Sequence, residues 1–221
     1  MGAPMSTTAG DDGQDPGPVW PTPPPGGWTA DDLEHIPGLP PHTELIDGGL
    51  FFVSPQTYFH MAVLRLLESA LLDQAPPEFD VVREMTTTLG EQDRPEPDLM
   101  VVPYTAFTQM RQTSFDPAEV VLAVEIVSKE SATRDRRIKP HKYAAAGIQH
   151  FWRVEENAGL PVVYVYELDA STGSYAVNGI HHGQLKVPVP FLIDIDLTKL
   201  RRRRDPAGAP VQPREDTDPQ I

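Results

Sequence analysis

The sequence contains no cysteine among its 221 residues. This absence excludes a disulfide framework, a zinc–thiolate site and a cysteine nucleophile. No apolar run approaches the roughly 18 residues that a membrane-spanning helix needs, and the N-terminus lacks a basic segment followed by an apolar one. We therefore expect a soluble cytoplasmic protein with no membrane partner.

Large apolar residues are scarce at both ends of the chain. Residues 1–40 contain nine prolines and seven glycines, and residues 201–221 continue in the same way after four consecutive arginines. Such segments cannot bury enough apolar surface to offset the entropy that they would lose on ordering. We expect residues 1–40 and 201–221 to be disordered, and residues 41–200 to form one domain with a substantial core.

Basic residues are also few compared with acidic ones. The chain has 18 Lys and Arg residues against 32 Asp and Glu residues, so its formal net charge is −14. This charge argues against general affinity for a polyanion. The positive charge is nevertheless concentrated: six of the 18 Lys and Arg residues lie between Lys129 and Lys142. That segment is where we expect a phosphate to bind.

A β-hairpin followed by a helix is predicted at the start of the domain. The hairpin is indicated by the segment TELIDGGLFFVS, in which Gly48 and Gly49 supply the positive φ angles of a tight turn. Apolar residues then recur at helical spacing, with Ser54 as the predicted N-cap and Pro55 as the first helical residue. Two consecutive prolines end this helix.

The remainder of the domain alternates between strands and one further helix. The nearly continuous apolar run AEVVLAVEIVS is typical of a strand buried on both sheet faces. A helix is predicted through KYAAAG, with Gly147 as its C-cap, before several more β-segments. The order of elements predicts an α/β (mixed α+β) fold, in which a mixed central β-sheet is flanked by helices.

Three acidic residues interrupt the apolar strand patterns: Glu44, Asp98 and Glu125. An ionised carboxylate in a buried strand costs several kcal/mol unless a cation compensates it. Neighbouring strands lie about 4.8 Å apart, so carboxylates on one face can share a divalent cation such as Mg²⁺. The alternative is that each acid pairs with an arginine or faces water.

The basic segment supplies the cation that phosphodiester hydrolysis needs beside a metal. Lys139 and Lys142 are the candidates, with Lys129 behind them. The alternative for Lys139 is a solvent-exposed helix pair with Asp135, four residues earlier, which contributes a few tenths of a kcal/mol. That alternative leaves Glu125 without a partner.

Several short motifs occur together in a fixed order, and in this order they are more specific than any one of them alone. They are ELIDG at 44–48, SP followed by His60, PD at 97–98, VEIVS at 124–128, Asp135, Lys139, Tyr143 and YAAAGIQHFW. On these motifs, over about residues 43–200, the chain resembles the bacterial Uma-type restriction endonuclease family, within the PD-(D/E)XK nuclease superfamily.

The resemblance implies a restriction-endonuclease-like core, a site dependent on Mg²⁺ or Mn²⁺, and cleavage of phosphodiester bonds in DNA. Asp98 and Glu125 would be metal ligands, together with the backbone carbonyl of Ile126. Glu44 would be an additional acid that supports a ligand water or a second ion. Lys139 would be the catalytic lysine.

Three residues depart from the family pattern around this lysine, one of which is Lys129, where the family often has proline. The superfamily's E-x-K motif would place the lysine at position 127, which is Val127 here. Pro140 directly follows Lys139 and disfavours helical φ and ψ angles for it. A helix that begins at Pro140 would leave Lys142 as the alternative catalytic lysine.

Two further motif residues are expected to have no catalytic role. Tyr143 is interpreted as a packing residue. His60 is expected to lie on a mid-helix face as a packed or exposed histidine, not as a ligand.

Two other functions remain open from the residues alone. A catalytically silent nuclease-fold module that binds nucleic acid or a protein partner is favoured by the acidic net charge and by Pro140. A structural domain would instead neutralise Glu125 with Arg134, Arg136 or Arg137. For the endonuclease, a homodimer would allow both strands of DNA to be cut.

Overall fold

The computed structural model describes residues 22–202. Its strands are β1 (Thr43–Ile46), β2 (Gly49–Phe52), β3 (Phe79–Arg83), β4 (Thr86–Thr87), β5 (Leu99–Pro103), β6 (Ser114–Phe115), β7 (Leu122–Ile126), β8 (His150–Asn157), β9 (Leu160–Asp169), β10 (Ser174–His182), β11 (Gln184–Val187) and β12 (Ile193–Asp196). Its α-helices are α1 (Tyr58–Gln74), α2 (Lys139–Ala145) and the short α3 (Lys199–Arg202).

A six-stranded sheet with the order β10-β9-β8-β7-β5-β3 forms the centre of the domain. Strands β7 and β8 run parallel, and the other neighbours in this sheet are antiparallel. Two-stranded pairs are formed by β1 with β2, β11 with β12, and β4 with β6. The predicted mixed central sheet with flanking helices is therefore confirmed.

Side chains of β7 alternate between the two cores that cover the sheet. Val124 and Ile126 belong to the core that contains the apolar face of α1, whereas Ala123 belongs to the core that contains Tyr143 of α2. Glu125 shares the parity of Ala123. Its carboxylate therefore points to the α2 side of the sheet, as its contact with Tyr143 shows.

The β1–β2 hairpin turns through Asp47 and Gly48, whose φ angles are 50° and 72°. The hairpin was predicted, but its turn was placed one residue too late, because Gly49 is the first residue of β2. A type I′ turn needs positive φ at both central residues, and an Asp-Gly pair supplies them at low cost.

Helix α1 begins later than predicted. Its N-cap is Thr57, whose side-chain oxygen accepts a 3.2 Å hydrogen bond from the backbone N–H of His60, so Ser54 and Pro55 precede the helix. The hydroxyl of Thr57 satisfies one of the N–H groups that the first turn leaves unpaired. The helix ends at Gln74, before the two prolines, as predicted.

Helix α2 is preceded by a π-helical turn over Arg134–Ile138. The backbone N–H of Lys139 donates to the carbonyl of Arg134, five residues earlier, and Lys139 itself is helical with φ −58° and ψ −43°. The expectation that Pro140 keeps Lys139 out of the helix is therefore wrong. Pro140 is the second residue of α2, and a proline is tolerated in the first turn of an α-helix.

Residues 22–40, which we expected to be disordered, pack against the hairpin. The backbone N–H of Trp28 donates to the carbonyl of Gly48 over 2.8 Å, and Glu34 accepts a 2.6 Å hydrogen bond from the guanidinium of Arg94. Residues 1–21 and 203–221 lie outside the described part of the chain, so their disorder stays a prediction. Within residues 22–202, no helix is both long enough and apolar enough to cross a membrane.

Candidate active site

A cleft of about 640 Å³ opens where β1, the start of α1, the end of β7 and the π turn meet. The structure brings all the predicted site residues to its wall: Glu44, Asp98, Glu125, Ile126 and Lys139. Glu44, Glu125 and Lys139 are each at most 3% exposed. The cleft therefore contains buried charges that must compensate one another.

Lys139 is the centre of the charged cluster. Its Nζ lies 2.6 Å from Oε1 of Glu44, 2.9 Å from Oε2 of Glu125 and 3.5 Å from Oδ1 of Asp135. Asp135 is also buried, so the Asp135–Lys139 pair is not the solvent-exposed pair of the alternative interpretation. Burial alone would lower the pKa of Lys139, but the three carboxylates outweigh it and hold that pKa well above its ordinary value.

Both carboxylate oxygens of Glu125 have a hydrogen-bond donor. Lys139 donates to Oε2, and the hydroxyl of Tyr143 donates to Oε1 over 2.6 Å. Burial raises the pKa of Glu125 well above its ordinary value, although Lys139 acts in the opposite direction. Tyr143 is buried in the core, as predicted, but it also contacts the charged cluster through Glu125.

Asp98 is held directly against β7. Its Oδ2 accepts a 2.6 Å hydrogen bond from the backbone N–H of Ile126, and its Oδ1 lies 2.9 Å from Nε2 of His60. This places the Asp98 carboxylate beside the residue that follows Glu125. His60 lies in the first turn of α1 and contacts the site, so its expected mid-helix position is wrong.

The alternative lysine, Lys142, has other partners. Its Nζ lies 2.6 Å from Asp47 in the hairpin turn and 2.8 Å from Asp93. Lys142 does not line the cleft, whereas Lys129 does. Of the two candidate lysines, Lys139 is therefore the one that contacts Glu125.

The arginines of the basic segment do not neutralise Glu125. Arg134 makes two hydrogen bonds, of 2.9 and 3.0 Å, to Glu130 and lies over the ring of Phe51, while Arg136 pairs with Glu155. Oε2 of Glu44 is 3.8 Å from Nε of Arg134. The interpretation in which an arginine compensates Glu125 is therefore wrong, because Lys139 has that position.

Comparison with known proteins gives the family of the chain. The model of the Uma2 family, described as "Putative restriction endonuclease", matches residues 30–199. This chain belongs to the Uma2 family. The resemblance drawn from the motifs is thereby confirmed, and the matched region begins within the N-terminal segment that packs on the hairpin.

One solved structure supports the fold of this Uma2-family chain. It is titled a "putative nuclease belonging to DUF820" from Anabaena variabilis, with 18% sequence identity and a TM-score of 0.56. The match covers 73% of this chain and 89% of that one. No curated protein matched the sequence.

Hard divalent cations prefer oxygen ligands, and several carboxylates line the cleft of this Uma2-family site. Three buried acids, Glu44, Glu125 and Asp135, surround the ammonium of Lys139, and Asp98 lines the same cleft. Within residues 22–202, no three His, Asp or Glu side chains converge as a ready metal site. Mg²⁺ is commonly held by one or two carboxylates, and water and substrate phosphate complete its coordination. Two acids of the cleft would therefore be enough to hold the ion.

Sequence reasoning named His60, Asp135 and Tyr143 in the motif pattern but predicted no role at the site for any of them. The spacing of Asp135, Lys139 and Tyr143, four residues apart each time, is a signal that they share one helical face. No comparable signal links His60 to Asp98, because 38 positions separate them.

Proposed function

We propose that this protein is a metal-dependent endonuclease that hydrolyses phosphodiester bonds in DNA. One observation carries the proposal: the buried ammonium of Lys139 lies 2.9 Å from Glu125, at the wall of an open cleft that Asp98 also lines. A buried lysine among carboxylates, beside a volume that can admit a substrate, is the kind of arrangement found at functional sites.

Asp98 and Glu125 would hold Mg²⁺ or Mn²⁺, with the carbonyl of Ile126 as a third oxygen. The bound ion would supply an activated water and neutralise charge that develops on the phosphate. Because each carboxylate oxygen carries two lone pairs, one hydrogen bond per oxygen leaves capacity for a ligand.

Lys139 is the residue that would act on the phosphate or on the attacking water. The pKa of Lys139 lies well above its ordinary value, because the surrounding carboxylates outweigh its burial, so the side chain keeps its charge at neutral pH. A fixed cation in a partly dehydrated cleft stabilises developing negative charge without reorganising during the reaction. Glu44 holds the ammonium from the other side, over 2.6 Å.

Plasmid cleavage tests the proposal. Wild-type protein with Mn²⁺ or Mg²⁺ is expected to nick or linearise supercoiled DNA. Asp98→Asn, Glu125→Gln and Lys139→Met are each expected to lose activity by about 100-fold or more. Lys142→Met and Glu155→Gln are the matched controls, because they remove a lysine and an acid that lie outside the cleft.

Two outcomes contradict the proposal. Equal cleavage by wild type and Glu125→Gln would point to a contaminating nuclease. No cleavage by the folded wild type with either metal would favour a catalytically silent module that binds nucleic acid or a protein partner. That second function is favoured by one observation: each oxygen of Asp98 and Glu125 already accepts a hydrogen bond within the protein or lies at that distance from a donor.

The silent module makes its own prediction about binding. Such a module should retain duplex DNA in a gel-shift assay without a divalent ion, with equal affinity for wild type and Glu125→Gln. The homodimer that double-strand cutting would use is also a proposal. Light scattering of the free protein and of its DNA complex tests it.

A further inference from the structure

We infer that His60 is a positioning residue for the Asp98 carboxylate, and that it tunes the affinity of the site for a divalent cation. The inference rests on the proposed function, since it assigns a role within the same site. It concerns a histidine that the motif pattern contains but that the proposed chemistry does not use.

Asp98 is fixed from two sides. Oδ2 accepts the 2.6 Å hydrogen bond from the N–H of Ile126, and Oδ1 lies 2.9 Å from Nε2 of His60. A carboxylate only accepts hydrogen bonds, so Nε2 carries the proton in this contact. With one donor on each oxygen, rotation of the carboxylate about its Cβ–Cγ bond would break a hydrogen bond.

The imidazole of His60 is committed to this contact. The side chain is 4% exposed, and among the described residues its second nitrogen, Nδ1, has no hydrogen-bond partner. A histidine kept for packing alone could be replaced by an apolar residue without loss of a polar contact. Here the one polar contact of the buried ring is made to a proposed metal ligand.

The start of α1 determines where this ring lies. Thr57 caps the helix and accepts a hydrogen bond from the backbone N–H of His60, which places His60 in the first turn, at the cleft. The apolar face of the same helix is anchored in the core through Val63, Leu67 and Leu71. His60 is therefore held by a rigid element and not by a loop.

Groups that hydrogen-bond a metal ligand fix its orientation, and their removal typically lowers metal affinity by about 10- to 100-fold. The important feature of His60 is then a donor at the position of Nε2. Glutamine can place its amide nitrogen near that position, whereas the shorter asparagine reaches only as far as Nδ1. The Gln and Asn variants therefore separate a positioned donor from mere polarity.

Mn²⁺ binding, measured by calorimetry on the DNA-free protein, is the test. We expect His60→Asn to bind Mn²⁺ about 10-fold or more weakly than wild type, and His60→Gln to bind within about threefold of it. Duplex DNA affinity in metal-free buffer should be unchanged in both. Asp98→Asn should lose the binding, and His182→Asn, a change on the exposed end of β10, should retain it.

The outcomes separate this inference from the proposed function. If wild type binds Mn²⁺ and a folded His60→Asn protein binds it equally well, the positioning role is wrong while the endonuclease proposal stands. If His60→Gln loses affinity as fully as His60→Asn, a donor at the Nε2 position is not what matters, and the inference is again overturned. Wild type that binds no Mn²⁺ overturns both. Should His60→Asn fail to fold, the Gln variant alone decides.

Discussion

Tyr143 donates a 2.6 Å hydrogen bond to Oε1 of Glu125, so a phenol of α2 and an acid of the central strand β7 are joined inside the protein. The contact ties the helix that carries Lys139 to the strand that carries Glu125. The stability of the domain and the geometry of its cleft therefore depend on the same few side chains.

Loss of the Tyr143 hydroxyl should destabilise the fold. In Tyr143→Phe, Oε1 of the buried Glu125 loses its donor, and an unsatisfied buried acceptor costs about 1–3 kcal/mol. Urea unfolding at neutral pH measures the change in the free energy of unfolding. Tyr175→Phe is the control, because Tyr175 is only partly buried and its hydroxyl donates to a neutral acceptor, the backbone carbonyl of Ile148, so its loss should cost less. Equal costs for the two variants would contradict the prediction.

The two lysines of α2 should differ sharply in their effect on stability. Lys139→Met removes the cation among three buried carboxylates, and breaking a buried ion pair typically costs about 3–5 kcal/mol. Lys142→Met breaks contacts near the surface, such as that with the exposed Asp47, and should cost less than about 1 kcal/mol. Chemical denaturation of both variants measures the difference.

A double variant tests whether charge is the cause. Adding Glu125→Gln to Lys139→Met removes one uncompensated carboxylate, so it should recover part of the lost stability. A double variant that is less stable than Lys139→Met alone would contradict this explanation.

His42 and Glu96 should give the protein a pH-dependent increment of stability. Their side chains lie 2.6 Å apart, and this hydrogen bond raises the pKa of His42 above 6.5 against a smaller effect of burial. The increment is therefore full below pH 6.5, provided that Glu96 is ionised, and is lost as the pH rises through the folded-state pKa of His42. Burial raises the pKa of Glu96, so the increment also falls in acid.

Thermal unfolding of wild type and His42→Asn measures this increment. Asparagine tolerates the positive φ of 60° at this position. The difference in Tm is expected to be largest near about pH 6 and to shrink toward about pH 8. A difference that grows with rising pH would show that the sign is wrong.

The N-terminal segment should contribute to stability from residue 22 onward. Arg94 is 6% exposed and bonds the carbonyl of Ala30 and the carboxylate of Glu34. A chain that starts at residue 41 lacks both of these acceptors, and we expect it to be at least about 2 kcal/mol less stable than one that starts at residue 22. Equal unfolding midpoints in urea for the two chains would place the domain boundary at residue 40 after all.

Much of the site could be predicted because its chemistry conflicts with its surroundings. Glu125 stands out in an apolar strand, and Lys139 stands out in a basic segment directly after it. Sequence reasoning could not predict the backbone conformation around Pro140 or the position at which α1 begins. Lys139 is helical although Pro140 follows it, and the Thr57 cap places His60 in the first turn of α1, at the cleft.

The contacts that residues 22–40 make with the domain were also not predicted from composition. Composition describes what a segment can bury on its own, and residues 22–40 bury little. Their contacts with the rest of the domain include hydrogen bonds to the carbonyl of Gly48 and to the guanidinium of Arg94, the latter more than fifty positions further along the chain. Long-range polar contacts of this kind leave no periodic pattern in the sequence.

The cleft joins residues that are far apart in sequence, and this separation affects the order in which the domain folds. Its contacts join residues that are 52 positions apart for Glu44 and Glu96, 38 for His60 and Asp98, and 28 for Asp98 and Ile126. Contacts between distant residues carry a loop-closure cost and tend to form after local ones. A partly synthesised or partly folded chain would therefore lack the assembled cluster, so any hydrolytic activity would appear only when the whole domain is complete.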